Sequence, residues 1–375
     1  MKNLTCLLLL IIFTSTSFAQ ESKKIIAQQL QNYSLPHSPE QFTPLFHLPP
    51  VNQGATNICW SFATLSFVES ELYRIGYKPI QLSVTFPAYY AFVEKARYFV
   101  QCKGASRFKA GDLFPTVLEI IQKYGIVPDS VYTGLKNNDT GYNHKNMEAE
   151  LEEYIKEVKA NALWDENVVV NEVEMIMQKH IGSPVQNFNY KGIYYTPKSF
   201  AERYVKLNWN EYILITSFNY APFYSYCTLN VPDNWRHIDR YFNVPLDLFY
   251  HSMRSALQNG FTVAIDGDFS EPGRYGPKDV ALIPDFDIPR DHITQEAREY
   301  RFEYGITSDD HLMHLVGYKE INGEDWFLVK DSWKDAYEGA NKGYFFYRHD
   351  YAKLKILAYL VHRDAVPEIV QRLPE

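Results

Sequence analysis

The sequence predicts an α+β protein, because helical patterns fill most of its first half and strand patterns fill its last third. Within 59–75, apolar side chains recur three or four positions apart, which predicts an amphipathic helix that stops at Gly76. After about residue 205, short apolar runs such as 325–330 alternate with turn residues, as strands do. Helices grouped ahead of strands favour a helical part followed by a sheet part.

The other elements follow from the same patterns in chain order. The segment around Pro49-Pro50 must be extended. Helices are predicted at 59–75, 86–99 and 112–124, with one or two more across 143–181. Strands are predicted at 211–216, 261–265, 312–318, 325–330 and 343–347. The chain then divides into an N-terminal tether or short strand at 20–45, a helical subdomain at 46–135, a helical insertion at 136–204, a β-rich subdomain at 205–362 and a C-terminal tail at 363–375.

Residues 1–19 have the pattern of a cleavable signal peptide. Lys2 supplies a positive start, 7–13 is an apolar run, and Ser17-Phe18-Ala19 is a small-x-small cleavage site. The apolar run is too short to cross a bilayer as a helix. We therefore expect the mature chain to be exported, to the periplasm or the extracellular space, with no membrane partner after signal removal.

Charge and cysteine content narrow the partners further. The formal net charge is −8, and no basic cluster is dense enough to neutralise a run of phosphates, so nucleic acid is not an expected partner. Removal of the signal leaves Cys59, Cys102 and Cys227, and an odd number leaves at least one thiol unpaired. Whether Cys102 and Cys227 form a disulfide or stay buried free thiols is open.

The first motif that indicates catalysis is Gln53-Gly54-x4-Cys59-Trp60-Ser61-Phe62. A thiol attacks as the thiolate, and the start of the predicted helix at Cys59 favours an anion. Gln53 can donate a side-chain N–H to the same space and form an oxyanion hole with the Cys59 backbone N–H. A lone cysteine is ordinarily a small buried residue, but the combined string predicts a nucleophile.

Two histidines, His311 and His314, compete for the role of the base. On a strand they point to opposite faces, so only one of them can face the thiolate. Asp331 follows His311 by 20 residues, and a hairpin with its turn at Asn322-Gly323 would return it to the side of His311. Its carboxylate could then accept the second imidazole N–H and fix the tautomer of the ring.

These motifs resemble the papain superfamily of cysteine peptidases, in which the nucleophile, the base and the ring-orienting residue follow in this order. The family's histidine precedes a glycine by six positions and an aromatic residue by seven. His311 meets that spacing with Gly317 and Tyr318, whereas His314 does not. The family's Ser-Trp pair matches Ser332-Trp333. The resemblance implies a papain-like fold, with a helical left domain carrying the cysteine and a β-rich right domain carrying the histidine.

Within the superfamily, the likeness is to bleomycin hydrolase and bacterial aminopeptidase C, in segments such as 119–127, 259–266 and 366–370. It implies a cysteine peptidase that hydrolyses peptide or protein substrates through an acyl-thioester. The implied site consists of the catalytic residues Cys59, His311, Asp331 and Gln53, with Trp60 and Trp333 as supporting residues. No metal or organic cofactor is expected.

Three departures from the family pattern leave the specificity open. Asp331 stands where the family has Asn, and Asn57-Ile58 replaces a pair of small residues. The chain ends at Glu375, soon after 366–370. In the bleomycin hydrolase group, a C-terminal arm carries a carboxylate into the cleft and restricts cleavage to free N-termini. Aminopeptidase and endopeptidase activity therefore both remain open here, as does formation of a homo-oligomer.

Two other functions also remain open. A Cys-His-Asp acyltransferase would use the same acyl-thiol intermediate and release its product onto an amine. A non-catalytic peptide-binding relative would keep the cleft without the reaction. Gln53 and the surroundings of Trp333 favour the peptidase.

Overall fold

The computed structural model describes residues 21–136, 139–271 and 273–374. The predicted signal peptide at 1–19 lies outside the described residues. The helices are α1 at 21–29, α2 Cys59–Arg74, α3 Thr85–Gln101, α4 Phe114–Tyr124, α5 Lys145–Ala160, α6 Glu166–Ile181, α7 Pro197–Phe200, α8 Leu246–Gln258, α9 Gln295–Glu303, α10 His349–Lys355 and α11 Pro367–Val370. Within the described ranges, no helix combines the length and apolar character that crossing a bilayer requires.

The strands form one small hairpin and one large sheet. They are β1 Phe188–Tyr190, β2 Ile193–Tyr195, β3 Tyr212–Thr216, β4 Ser225–Cys227, β5 Tyr241–Asn243, β6 Val263–Gly267, β7 Arg274–Tyr275, β8 Val280–Ala281, β9 His311–Ile321, β10 Glu324–Lys330, β11 Tyr344–Arg348 and β12 Ile356–His362. The hairpin pairs β1 with β2, and the sheet has the order β4-β5-β3-β12-β6-β9-β10-β11-β8-β7. The predicted α+β class and papain-like fold are confirmed, with element boundaries that differ by a few residues.

The helical half is built around α2. Its residues are almost all buried, because α3 and α4 cover one side and β9 of the sheet lies against another. Helix α6 packs on α3, and α5 packs on α6, around a separate apolar core that includes Met147, Leu151 and Val173. The helical insertion is therefore an outer layer, and α2 is the contact between the two halves.

The sheet half has two faces with different partners. Ala264 and Leu312 belong to the core that they share with α2, whereas Ile265 and Met313 belong to the core on the opposite face, under α8 and α10. Side chains alternate along β6 and β9, so even-numbered residues of both strands face the helical half here.

The N-terminal segment differs from the tether or short strand that the sequence predicts at 20–45. Residues 21–29 are helical, and 3₁₀ turns follow at Leu30–Asn32 and Pro39–Phe42. Ile26, Leu30 and Phe42 are buried against sheet residues such as Phe346. Ile26 and Leu30 are four positions apart and share one helical face. The segment is a packed part of the sheet half.

Candidate active site

Cys59 is the first residue of α2. The preceding Ile58 provides no side-chain cap, so the positive end of the helix dipole faces the thiol. Such a position favours a negative charge, as a nucleophilic thiolate requires. The thiol is partly exposed and lines a cleft together with Gln53 and His311.

His311 opens β9 and lies at the junction of the two halves. Its Nε2 is 2.8 Å from Oδ1 of Asp331, and Phe269 and Trp333 cover the ring, with centroids 4.7 and 6.1 Å away. Burial alone would lower the pKa of His311. The charges of Asp331 and Cys59, with hydrogen bonds to both, outweigh burial and raise that pKa to about 10. The protonated form of the imidazole is therefore favoured.

Asp331 is completely enclosed and has three partners. Oδ1 accepts hydrogen bonds from His311 and, at 2.8 Å, from the backbone N–H of Trp333. Oδ2 accepts a hydrogen bond from Nη2 of Arg274 at 2.6 Å. Burial opposes the charge, but His311 and Arg274 hold the pKa of Asp331 below its ordinary value. Asp331 is therefore a carboxylate that fixes the imidazole ring.

Arg274 is a site residue that the sequence analysis did not identify. Its guanidinium lies between the rings of Phe269 and Phe345, 3.3 and 3.7 Å from their centroids, and its side chain is only 4% exposed. It comes 57 residues before Asp331, on β7, so no local pattern links the two. The available signal was Asp331 itself, because a buried carboxylate in place of a neutral amide needs a counter-charge.

Gln53 is held on both sides of its amide group. Its Oε1 accepts a hydrogen bond from Ser332 Oγ at 2.7 Å, and its Nε2 donates to the carbonyl of Thr56 at 2.9 Å. An amide nitrogen has two hydrogens, so the second can serve the cleft that Gln53 and Cys59 both line. Gln53 is thus fixed as a donor next to the thiol.

The remaining predicted residues lie away from the reacting atoms. Trp60 is fully buried and donates its indole N–H to the carbonyl of Ala110 at 3.0 Å, which ties the start of α2 to the loop between α3 and α4. His314 points into the core between the halves, with Nδ1 2.9 Å from Oγ of Ser66. Burial lowers the pKa of His314 well below its ordinary value. Of the two histidines, only His311 lines the cleft.

The other cysteines are not joined in a disulfide. Cys102 follows the end of α3 and Cys227 ends β4, and both are free thiols.

The cleft itself brings together a thiol, an imidazole whose orientation is fixed, and an amide donor. These are the groups that acyl transfer through a thioester requires.

Comparison with known proteins identifies relatives along most of the chain. The model of the Peptidase C1-like family matches residues 105–375. Aminopeptidase C of Lactococcus lactis subsp. cremoris is 24% identical over 374 residues, covering 88% of this chain and 84% of the relative. Aminopeptidase C of Listeria monocytogenes is 26% identical over 339 residues, covering 78% of this chain and 75% of the relative.

A solved structure supports the same fold. PepW from Lactobacillus rhamnosis has a TM-score of 0.69 and 19% identity, and the superposition covers 96% of this chain and 93% of PepW. None of these matches supports the acyltransferase alternative. The family match extends over more than half of the sequence and includes both His311 and Asp331. The chain belongs to the Peptidase C1-like family and is a papain-like cysteine peptidase related to the bleomycin hydrolase and aminopeptidase C group.

Proposed function

We propose that this protein is an exported aminopeptidase that hydrolyses the N-terminal peptide bond of its substrates. The observation that carries the chemical part is the meeting of Cys59, His311 and Asp331 at one cleft. The aminopeptidase part is supported by the relatives that match most of the chain, which are aminopeptidases by name.

In the proposed reaction, the thiolate of Cys59 attacks the scissile carbonyl carbon. Gln53 and the Cys59 backbone N–H donate hydrogen bonds to the resulting oxyanion. The His311 imidazolium gives its proton to the leaving amine as the C–N bond breaks, which leaves an acyl-thioester. A water molecule then loses a proton to His311 and attacks the thioester, which releases the acid and restores the thiolate and imidazolium pair.

The catalytic roles are tested by replacing Cys59 with alanine. Cys59→Ala should reduce kcat for an aminoacyl amide substrate by at least about a thousandfold, since no other group can form the thioester. Cys102→Ala is the matched control, because this second free thiol is remote from the cleft lining and should keep full activity. Parent-level cleavage by Cys59→Ala would contradict the mechanism.

The exopeptidase part requires a comparison of substrates. The protein lacking residues 1–19 should cleave a short peptide with a free N-terminus much faster than the same peptide with an acetylated N-terminus. Equal rates would contradict the aminopeptidase proposal and favour an endopeptidase.

The proposed export predicts that the protein recovered from the periplasm or the medium begins at Gln20, which N-terminal sequencing would check.

A further inference from the structure

One side of the cleft carries an excess of carboxylates. Asp233 and Asp309 line the same cleft as Cys59 and His311. Asp233 pairs with Arg107, whose Nη1 is 3.4 Å from Oδ1 and whose side chain is 46% exposed, and the charge of Lys95 also acts on it. We call Asp233, Asp309 and the buried Asp266 the acidic wall.

Asp266 makes the acidic wall more than a surface cluster. It is 0% exposed, and neither of its carboxylate oxygens has a hydrogen-bond partner. It lies on β6 opposite Leu312 and shares the face of Ala264, so its side chain points toward the helical half and the cleft. A buried carboxyl without a partner is costly and indicates a missing donor.

The three carboxyls oppose one another's ionisation. Burial, and then the charges of Asp309, Asp233 and Cys59, raise the pKa of Asp266 well above its ordinary value. Burial and Asp233 raise the pKa of Asp309 to about 8, although Arg107 opposes this. Burial also raises the pKa of Asp233. A cation between them would relieve the repulsion and the loss of hydration together.

Asp233 also has a fixed position in the lining of the cleft. Its carboxylate lies directly on Gly111, where an added Cβ would collide with the two oxygens. The segment is fixed there because the indole of Trp235 donates to Asp112 at 3.0 Å and Asn234 donates to the carbonyls of Leu229 and Ile238. Gly111 and the carboxylate of Asp233 are thus adjacent on the wall of the cleft that holds the nucleophile.

We propose that the acidic wall binds the N-terminal ammonium group of the substrate and so positions the first peptide bond at Cys59. An ammonium group has three N–H donors, and it lies one carbon away from the carbonyl that the thiolate attacks. Asp233 and Asp309 contact it directly, and the bound cation favours ionisation of Asp266 beneath them. This inference rests on the proposed aminopeptidase function, for which it supplies the specificity element.

The test uses Asp233→Asn and Asp309→Asn in the full mature chain. Each variant should lower kcat/KM for a free aminoacyl amide by roughly tenfold to a hundredfold, mainly through KM, because a charged hydrogen bond is lost. The rate on the N-acetylated substrate should stay unchanged. Asp239→Asn is the matched control, since Asp239 is exposed on the same segment and does not line the cleft.

The outcomes separate this site from the proposed function. If the parent enzyme cleaves free and acetylated substrates equally, the aminopeptidase proposal is wrong. If the parent prefers free N-termini and both variants keep that preference, the acidic wall is not the ammonium site. If the variants instead lose activity on acetylated peptides only when these peptides contain a lysine, the acidic wall binds basic side chains, and the proposal is overturned. Equal losses on both substrates would indicate a structural role and would also overturn it.

Discussion

At the scale of single residues, the site differs from the family pattern at the residue that orients the histidine, which carries a negative charge here. Asp331 replaces an amide with a carboxylate, and Arg274 provides the matching cation at 2.6 Å. The carboxylate adds electrostatic stabilisation of the His311 imidazolium that a neutral amide would not give. The pair therefore sets the proton affinity of the base.

Asp331→Asn should move the alkaline limit of activity to lower pH. The reactive thiolate and imidazolium pair persists until His311 loses its proton, and the pKa of His311 is raised to about 10. Removing the carboxylate charge lowers that pKa, so the fall of kcat/KM on the alkaline side should begin roughly one to three pH units earlier. A pH profile of kcat/KM checks this, and an unchanged alkaline limb would contradict it.

Arg274→Met should destabilise the fold by about 3–5 kcal/mol, because Oδ2 of the buried Asp331 carboxylate loses the guanidinium that balances it and only His311 remains as a charged partner. Combining Arg274→Met with Asp331→Asn should restore much of the loss. Urea unfolding of the two single variants and the double variant measures this coupling. Arg363→Met is the control, since the Arg363–Glu211 pair is 3.7 Å long and exposed, and its loss should cost less than about 1 kcal/mol. Additive effects would argue against a direct charge pair.

The sequence identified the nucleophile, the base and the orienting group as candidates because each lies in a local motif. It did not identify Arg274 or the acidic wall. Asp233, Asp266 and Asp309 come from three separate segments of the sheet half and interact only in the folded chain. The spacing of these residues along the chain therefore does not predict that they lie together.

At the scale of elements, the hairpin of β9 and β10 brings the base and its orienting group together. The register pairs Lys330 with His314, and Asn322 and Gly323 form the turn with positive φ values of 52° and 80°. Both central residues are left-handed, as a two-residue hairpin turn requires. The Asn-Gly dipeptide predicted this element correctly from the sequence.

Gly323→Ala should lower the free energy of unfolding by about 1–2 kcal/mol, because a Cβ strains the left-handed backbone even where nothing crowds it. Gly141→Ala is the control, since Gly141 has open space around it and no positive φ. That change should be neutral or slightly stabilising. Thermal unfolding of both variants checks this, and equal effects would remove the turn geometry as the cause.

Other elements were missed even though their patterns are readable. Helix α8 has Leu246, Phe249, Met253 and Leu257 at helical spacing, and all four are buried. It was overlooked because it stands between strands in a region with a β-rich composition. Strand β12 lies in the middle of the sheet, between β3 and β6, and is apolar on both faces. A continuous apolar run does not distinguish a central strand from a buried helix.

At the scale of the whole molecule, the reaction depends on how two halves fit together. Cys59 belongs to the helical half, and His311 and Asp331 belong to the sheet half. Buried polar contacts cross this junction, among them those from Ser66 to His314 at 2.9 Å and from Ser332 to Gln53 at 2.7 Å. They fix the register in which the nucleophile meets the base.

Ser66→Ala should destabilise the protein by about 1–3 kcal/mol, because Nδ1 of His314 loses its partner in a position without access to water. Once the variant is folded, its pH profile should keep the limits of the parent, since His314 is not the base. Urea unfolding and a pH profile measured on the same preparation check both parts. A shifted alkaline limb would assign His314 a part in the reaction.

The charge pair of Arg274 and Asp331 also has an evolutionary consequence. Asp331 without Arg274 would be balanced by His311 alone, and Arg274 without Asp331 would be left with Asp335 at 3.8 Å. An ancestor with a neutral orienting group would therefore gain either residue alone only at a cost in stability. We expect the two positions to vary together among relatives, with Arg accompanying Asp and uncharged residues accompanying Asn. A substitution transplanted singly from such a relative would fail, whereas the pair transplanted together would be accepted.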